Sequence, residues 1–167
     1  MDDILLPPEH SSNAVRLLLE AARLSENEEQ LKIKAEGILE KLCEYYHIPW
    51  NSYTYEHHFK SGNKKVDAVH GSTIIEYESP RSFNASENSR LRHARIQAEE
   101  YASLLSQEEG RHISKYSLVA WDGEAISFGC STENHFSWEP VRIFDSLCLN
   151  RLLSLIANGG RPFVEVR

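Results

Sequence analysis

The chain has 167 residues, 41% of them apolar and 26% charged, and its 18 basic and 25 acidic side chains leave a net charge of −7. This length suits one domain with a sizeable core, and the apolar share excludes wholesale disorder. The acidic balance excludes a module held to nucleic acid by a basic surface alone, but not an enzyme whose own acidic groups contribute to it.

No run approaches the roughly 18 consecutive apolar residues of a membrane span, so no membrane partner is expected. Met1-Asp2-Asp3 lacks the basic region of a secretory signal. Cys43, Cys130 and Cys148 are odd in number and show no CxxC spacing, which fits reduced thiols and a cytoplasmic location better than a disulfide frame or a zinc knuckle.

In chain order, Leu5-Leu6-Pro7-Pro8 reads as an extended arm, and Ser11-Ser12-Asn13 offers a cap for a helix ending near Leu24. Residues 28–46 read as a second helix, with Leu31, Ala35, Ile38, Leu42 and Tyr46 at helical spacing on one face. Strands are expected over 52–59, 66–70 and 74–78, then a polar loop over 80–88. A helix follows over 91–106, with Leu91, Ala94, Ala98, Tyr101, Ala102 and Leu105 facing the core. Strands over 116–121 and 125–128 flank the turn Trp121-Asp122-Gly123-Glu124, and a helix over 144–156 closes the series. The expected division is an N-terminal arm and helix over 1–27, the main domain over 28–157, and the start of a linker to further domains over 158–167.

The chemistry concentrates in Lys64-Lys65-Val66-Asp67-Ala68-Val69-His70-Gly71-Ser72-Thr73-Ile74-Ile75-Glu76-Tyr77-Glu78. Two short runs rich in Val, Ile and Tyr meet there at the turn signal His70-Gly71-Ser72, the pattern of a β-hairpin. Strand alternation puts Glu76 and Glu78 on one face and Tyr77 on the other, and Asp67 in the preceding strand closes the group. Acids held together on neighbouring strands repel one another unless a hard cation neutralises them, and Mg²⁺ takes oxygen ligands of this kind. A solvated acidic hairpin face is the competing reading. Against it, Ile74-Ile75 is apolar on both faces, as in a central buried strand, and Pro80 leaves the second acid at a sheet terminus.

This order, with Asp on the second strand and Glu-x-Glu on the third, resembles the PD-(D/E)XK nuclease superfamily. Within it, the chain is most similar to the amino-terminal nuclease domain of fused restriction–modification proteins. The residues that carry the resemblance are Asp67-Ala68-Val69-His70-Gly71, Ile75-Glu76-Tyr77-Glu78-Ser79-Pro80, and Gln97 with Tyr101 on the following helix; it covers residues 28–128. It implies an α/β (α+β) fold: a restriction-endonuclease-like central mixed β-sheet flanked by helices, in the order α-α-β-β-β-α-β-β-α. It further implies a Mg²⁺-dependent DNA endonuclease domain of a restriction or phage-defence protein, with Mn²⁺ able to replace Mg²⁺. DNA would be the substrate, and linked helicase/ATPase or methyltransferase modules the partners. Asp67 and Glu76 would be metal ligands with the Tyr77 carbonyl, Glu78 a further ligand or the base for the attacking water, and Gln97 a neighbour of the active site. The chain departs from the usual pattern at Glu78, where the superfamily commonly has Lys. That departure keeps open a rival reading, a nuclease-like fold that docks or holds DNA without cutting it.

Other candidates have bland alternatives beside them. Glu36 or Glu29 on the second helix could add an acid to the metal, or belong to a solvated helix face. Lys60, Lys64, Lys65, Arg81, Arg90, Arg92, His93 and Arg95 surround the acidic motif and suit phosphate contacts, but Arg92 and Arg95 share a helix face with Glu99 and equally suit surface ion pairs. His57-His58 is a poor metal pair, because adjacent strand residues face opposite ways.

Overall fold

The computed structural model describes residues 3–51, 57–58, 65–132 and 135–158. Its first helix, α1 (Pro8–Leu24), begins with proline at the first helical position, where a missing N–H is no loss and a fixed φ is already helical. The helix therefore starts earlier than the Ser11-Ser12-Asn13 cap suggests; Ser11 is a buried helical residue whose hydroxyl donates to the Pro8 carbonyl at 3.1 Å. Helix α2 (Glu28–Tyr45) is capped by Asn27, whose side chain accepts from the Gln30 N–H at 2.9 Å.

Strands β1 (His57–His58) and β2 (Lys65–Val66) pair antiparallel as a small ribbon. Most of the expected strand over 52–59 lies outside the described residues, as do the side chains of His57 and His58. A mixed sheet is then built from β3 (Ala68–His70), β4 (Thr73–Tyr77), β5 (Ser117–Trp121), β6 (Ala125–Thr132) and β7 (His135–Trp138) in that spatial order, with β8 (Arg142–Ile143) also pairing β6. Strands β3 and β4 form the expected antiparallel hairpin, its turn passing through Gly71 at φ 62°. Helix α3 (Ser89–Glu109) carries the chain from β4 to β5, which run parallel. Asn88 caps α3 by accepting from the Leu91 N–H, and Gly110 ends it in a left-handed conformation. Helix α4 (Ser146–Asn158) closes the described chain.

Three differences from the sequence reading have local causes. The strand expected over 66–70 is interrupted at Asp67, whose Oδ2 accepts from the Tyr77 N–H at 2.8 Å; a side chain takes the place of a ladder carbonyl. The strand expected over 125–128 runs on to Thr132. Strands β7 and β8 were not anticipated, because they are short and leave much of their side-chain surface exposed.

The sheet is covered on both faces. Ile75, Tyr77, Val119, Trp121, Ile126 and Phe128 share one core with apolar residues of α1, α2 and α4. Val69, Ile74, Leu118 and Ala120 meet α3 on the other face. Ile74-Ile75 is thus fully buried on both sides, as a central strand requires. Because Ala14, Leu18 and Ala22 of α1 belong to the first core, α1 is part of the packed unit rather than an appendage to it. Residues 159–167, the expected linker start beyond α4, lie outside the described residues. Among the described residues, no helix is long and apolar enough to cross a membrane.

Behind the motif, Asp122 and Gly123 fix the β5–β6 turn. The buried Asp122 carboxylate accepts from the N–H groups of Phe83, Glu124 and Ala125 at 2.7–2.9 Å, tying the 80–88 loop to the sheet. Gly123 has φ +93°, and a Cβ there would lie 2.5 Å from the Ala22 Cβ. Gly123→Ala is expected to destabilise the fold by about 2–4 kcal/mol, combining left-handed strain with overpacking against α1. Thermal denaturation should show a fall of roughly 5–10 °C, and an unchanged melting temperature would mean that α1 yields without cost.

Candidate active site

Alternation along β4 decides which acids meet. Ile74 and Glu76 face α3, whereas Ile75 and Tyr77 face α1, α2 and α4. Asp67, at the bend before β3, lies next to Ala68, which pairs with Ile75; this brings it level with Glu76 on the neighbouring strand. The two carboxyl groups lie close enough for the charge of Asp67 to favour the protonated form of Glu76. Glu76 is only 6% exposed, and its Oε2, shielded from solvent, has no hydrogen-bond partner in the structure.

Burial dominates the acid–base behaviour. It raises Glu76 to about 10, helped by the charges of Asp67, Glu28 and Glu78 and by the bond to Asp67. Burial also raises Asp67 to about 6, although the Tyr77 N–H and the charge of Lys32 oppose the shift. Glu28, in the first turn of α2, rises to about 7 through burial and the charges of Asp67 and Glu78. At neutral pH the Asp67–Glu76 pair therefore keeps a proton unless another cation replaces it.

The other residues anticipated from the sequence separate into two groups. Glu78 shares the site's edge, but its carboxylate is held by basic groups of α3: Arg90 Nη2 lies 2.9 Å from Oε1, and His93 Nδ1 lies 3.4 Å from Oε2. The Gln97 side chain accepts from the Tyr101 hydroxyl at 3.0 Å, and Tyr101 is close enough to Glu76 and Asp67 for their charges, after burial, to raise its pKa. Glu29 is 60% exposed and pairs with Lys32 at 3.1 Å.

Glu36 is on the wrong side of the sheet for a shared ion. It accepts from the Tyr77 hydroxyl at 2.5 Å and lies 2.8 Å from His70 Nε2, in a contact too poorly aligned to count as a hydrogen bond. Arg95 is committed to structure, bonding Glu87, Ser127 and the Glu139 carbonyl and lying over the Trp138 ring. Arg81 contacts Glu124 and the Ala22 carbonyl. Arg90, Arg92 and His93 stay exposed along the start of α3. Lys60 and Lys64 lie outside the described residues, and Lys65 is described only as β2 backbone.

Glu28 and Lys32 were missed by sequence reasoning. They sit one turn apart on α2, and the heptad-like apolar stripe that identified the helix gave no sign that its first turns approach the hairpin.

Among the described residues, no three His, Cys, Asp or Glu side chains converge closely enough to hold an ion by themselves. The fit is to a hard cation bound by two carboxylates and completed by water or substrate oxygens, the usual way in which proteins hold Mg²⁺. The unpartnered Glu76 Oε2 and the raised pKa values of Glu76 and Asp67 both suit such an ion. In comparisons with protein families, curated proteins and solved structures, no match to this chain was found.

A pH dependence follows. Glu28, Asp67 and Glu76 have folded pKa values above their ordinary ones, so between about pH 4 and those values the folded chain holds more protons than the unfolded chain. Their stabilising contribution is complete below the unfolded pKa and is lost as pH rises through the folded values. The melting temperature of metal-free protein should fall from about pH 5 to about pH 9. Glu76→Gln, or saturating Mg²⁺, should flatten that decline; melting curves with the same slope in all three conditions would contradict the assignment.

Proposed function

We propose that this chain is a metal-dependent DNA endonuclease domain of the PD-(D/E)XK kind, acting within a restriction or phage-defence protein. The observation that carries the reading is the pairing of Asp67, at the bend before β3, with the buried Glu76 of β4, whose Oε2 is left without a partner. A buried polar atom without a hydrogen bond is costly, and two adjoining carboxylates cannot both ionise without a cation. Such an arrangement needs either a retained proton or a bound cation, and a divalent ion can replace the proton. The mixed sheet between helices, the β3–β4 hairpin and the Gln97–Tyr101 pair on α3 support the same reading.

Asp67 and Glu76 would hold Mg²⁺ or Mn²⁺. The bound ion supplies neutralisation of phosphate charge and a more acidic water. Everything else belongs to the chain. The Tyr77 N–H fixes Asp67 through its Oδ2, so the carboxylate meets Glu76 in one orientation. Tyr101 and Gln97 wall the pair from the α3 side. Glu78 keeps Arg90 and His93 at the rim, where their exposed ends suit the anionic DNA backbone. This positioning role accounts for the Glu78 contacts better than direct ligation does. The net charge of −7 means that the domain alone binds DNA weakly, which fits a domain working beside linked helicase or methyltransferase modules.

The test is cleavage of duplex DNA together with calorimetric titration of Mn²⁺. Parent protein should bind the ion and cut; Asp67→Asn and Glu76→Gln should remain folded, lose Mn²⁺ binding and abolish cleavage. Metal and DNA binding without cutting would support the rival, a docking module. Undiminished cutting by both variants would remove the site. Glu78→Gln should lose about 10- to 100-fold in cleavage while retaining Mn²⁺ affinity, because it releases Arg90 and His93 rather than a ligand. Glu78→Lys should lose more, since the new cation repels both. A Glu78→Lys variant more active than Glu78→Gln would overturn the positioning role.

A further inference from the structure

One buried carboxylate outside the acid pair touches both strands of the β3–β4 hairpin. Glu36, on α2, is fully buried. Its Oε2 accepts from the Tyr77 hydroxyl at 2.5 Å, and its Oε1 lies 2.8 Å from Nε2 of the equally buried His70. Tyr77 is the last residue of β4 and His70 the last of β3, so the carboxylate braces the hairpin from its open end to its turn. The His70 ring is itself fixed, its centroid 4.3 Å from that of the Trp50 ring. Packing does not call for an acid here. Burying a carboxylate is costly, and a hydrocarbon side chain of similar size would join α2 to the sheet without that cost.

What this brace holds is the place of Asp67. That residue precedes β3, a three-residue strand at the edge of the main sheet, and its Oδ2 accepts from the Tyr77 N–H at 2.8 Å where a ladder carbonyl would stand. Tyr77 therefore bonds a site acid with its backbone and Glu36 with its side chain. We propose that Glu36 is a positioning residue: through Tyr77 and His70 it fixes Asp67 beside Glu76, and so sets the affinity of that pair for a divalent cation. The affinity half of this inference rests on the proposed metal site; the fixing of Asp67 does not. Glu36 itself lies on the opposite face of the sheet and touches neither ion nor substrate. Its effect passes through a strand end and a short edge strand, the parts of the hairpin with the fewest other contacts to hold them in register.

The experiment compares parent protein, Glu36→Leu, Glu36→Gln and Tyr77→Phe by Mn²⁺ titration in a calorimeter, amide hydrogen exchange of the metal-free chain, and thermal melting. Glu36→Leu and Tyr77→Phe should each weaken Mn²⁺ binding by about 10- to 100-fold, the usual effect of removing a group that orients a metal ligand. In both, the amide at position 77 should exchange at least about tenfold faster, while the amides of the β4–β5 ladder keep the parent's rates. Glu36→Gln keeps an oxygen that accepts from the Tyr77 hydroxyl, so it should bind Mn²⁺ within about threefold of the parent. A merely structural Glu36 would lower the melting temperature and speed exchange at all these amides alike, without moving Mn²⁺ affinity. Should Glu36→Leu fail to fold, Tyr77→Phe, which removes one hydroxyl, carries the same readings. Unchanged Mn²⁺ affinity in folded Tyr77→Phe, or a loss as large in Glu36→Gln, overturns the inference. If the parent binds no Mn²⁺, the metal site falls and the affinity half with it. Exchange then decides the rest: selective acceleration at position 77 sustains Glu36 as the residue that fixes Asp67, and uniform acceleration or none overturns it.

Discussion

The hydrogen bond from the Tyr77 N–H to Asp67 Oδ2 is the contact on which the site depends. It replaces a strand carbonyl with a side chain, breaks what would be one continuous strand into β2 and β3, and holds a carboxylate where the sheet would otherwise present backbone. A bond to a charged acceptor contributes more than a neutral one, and here it opposes the burial that pushes Asp67 toward its protonated form. The bond thus favours the ionised form of Asp67, while burial and the neighbouring acids favour the protonated form of Glu76.

The two faces of β4 show how differently a buried acid can be treated. On one face Glu36 is occupied by the Tyr77 hydroxyl and by the nearby His70 ring, itself packed against Trp50. Those contacts knit α2 to the hairpin, although Glu36 Oε1, like Glu76 Oε2, makes no hydrogen bond. On the opposite face Glu76, one residue before Tyr77, has a shielded oxygen with no partner, next to an acid that repels it. The same strand therefore anchors a helix with one side chain and holds an unmet electrostatic demand with the next. The difference lies in the neighbours: Glu36 faces the Tyr77 hydroxyl and the His70 ring, whereas Glu76 faces other acids, whose charges a proton or a cation must offset.

Much of this was legible in the sequence. Helical spacing located α2 and α3, the His70-Gly71-Ser72 signal located the hairpin, and period-two alternation placed Glu76 and Tyr77 on opposite faces. The approach of α2 to the hairpin was not legible. Glu28 and Lys32 look like ordinary charged residues of a helix start, and Glu29 and Glu36 look equally suited to a site. Which of the four turns toward Asp67 depends on the rotation of α2 about its axis, set by Leu31, Ala35 and Leu39 in the core. The interruption at Asp67 was hidden for a related reason: propensity sees a β-favouring run, whereas the side-chain bond that breaks it comes from ten residues further along.

Glu78 illustrates why a departure from a common motif cannot be judged at one position. Its own side chain is 4% exposed, whereas those of Arg90 and His93 are 55% and 61% exposed, so the acid is the fixed end of both contacts and the bases are the free ends. Screening by water makes each contact weak in stability terms, but the geometry is still decided by the buried partner. A lysine in place of Glu78 would face two basic side chains across a short gap and drive them from the rim, so the residues on α3 and the residue at the end of β4 form one electrostatic unit. Acid at position 78 thus sets basic groups at the rim, outside the Asp67–Glu76 pair.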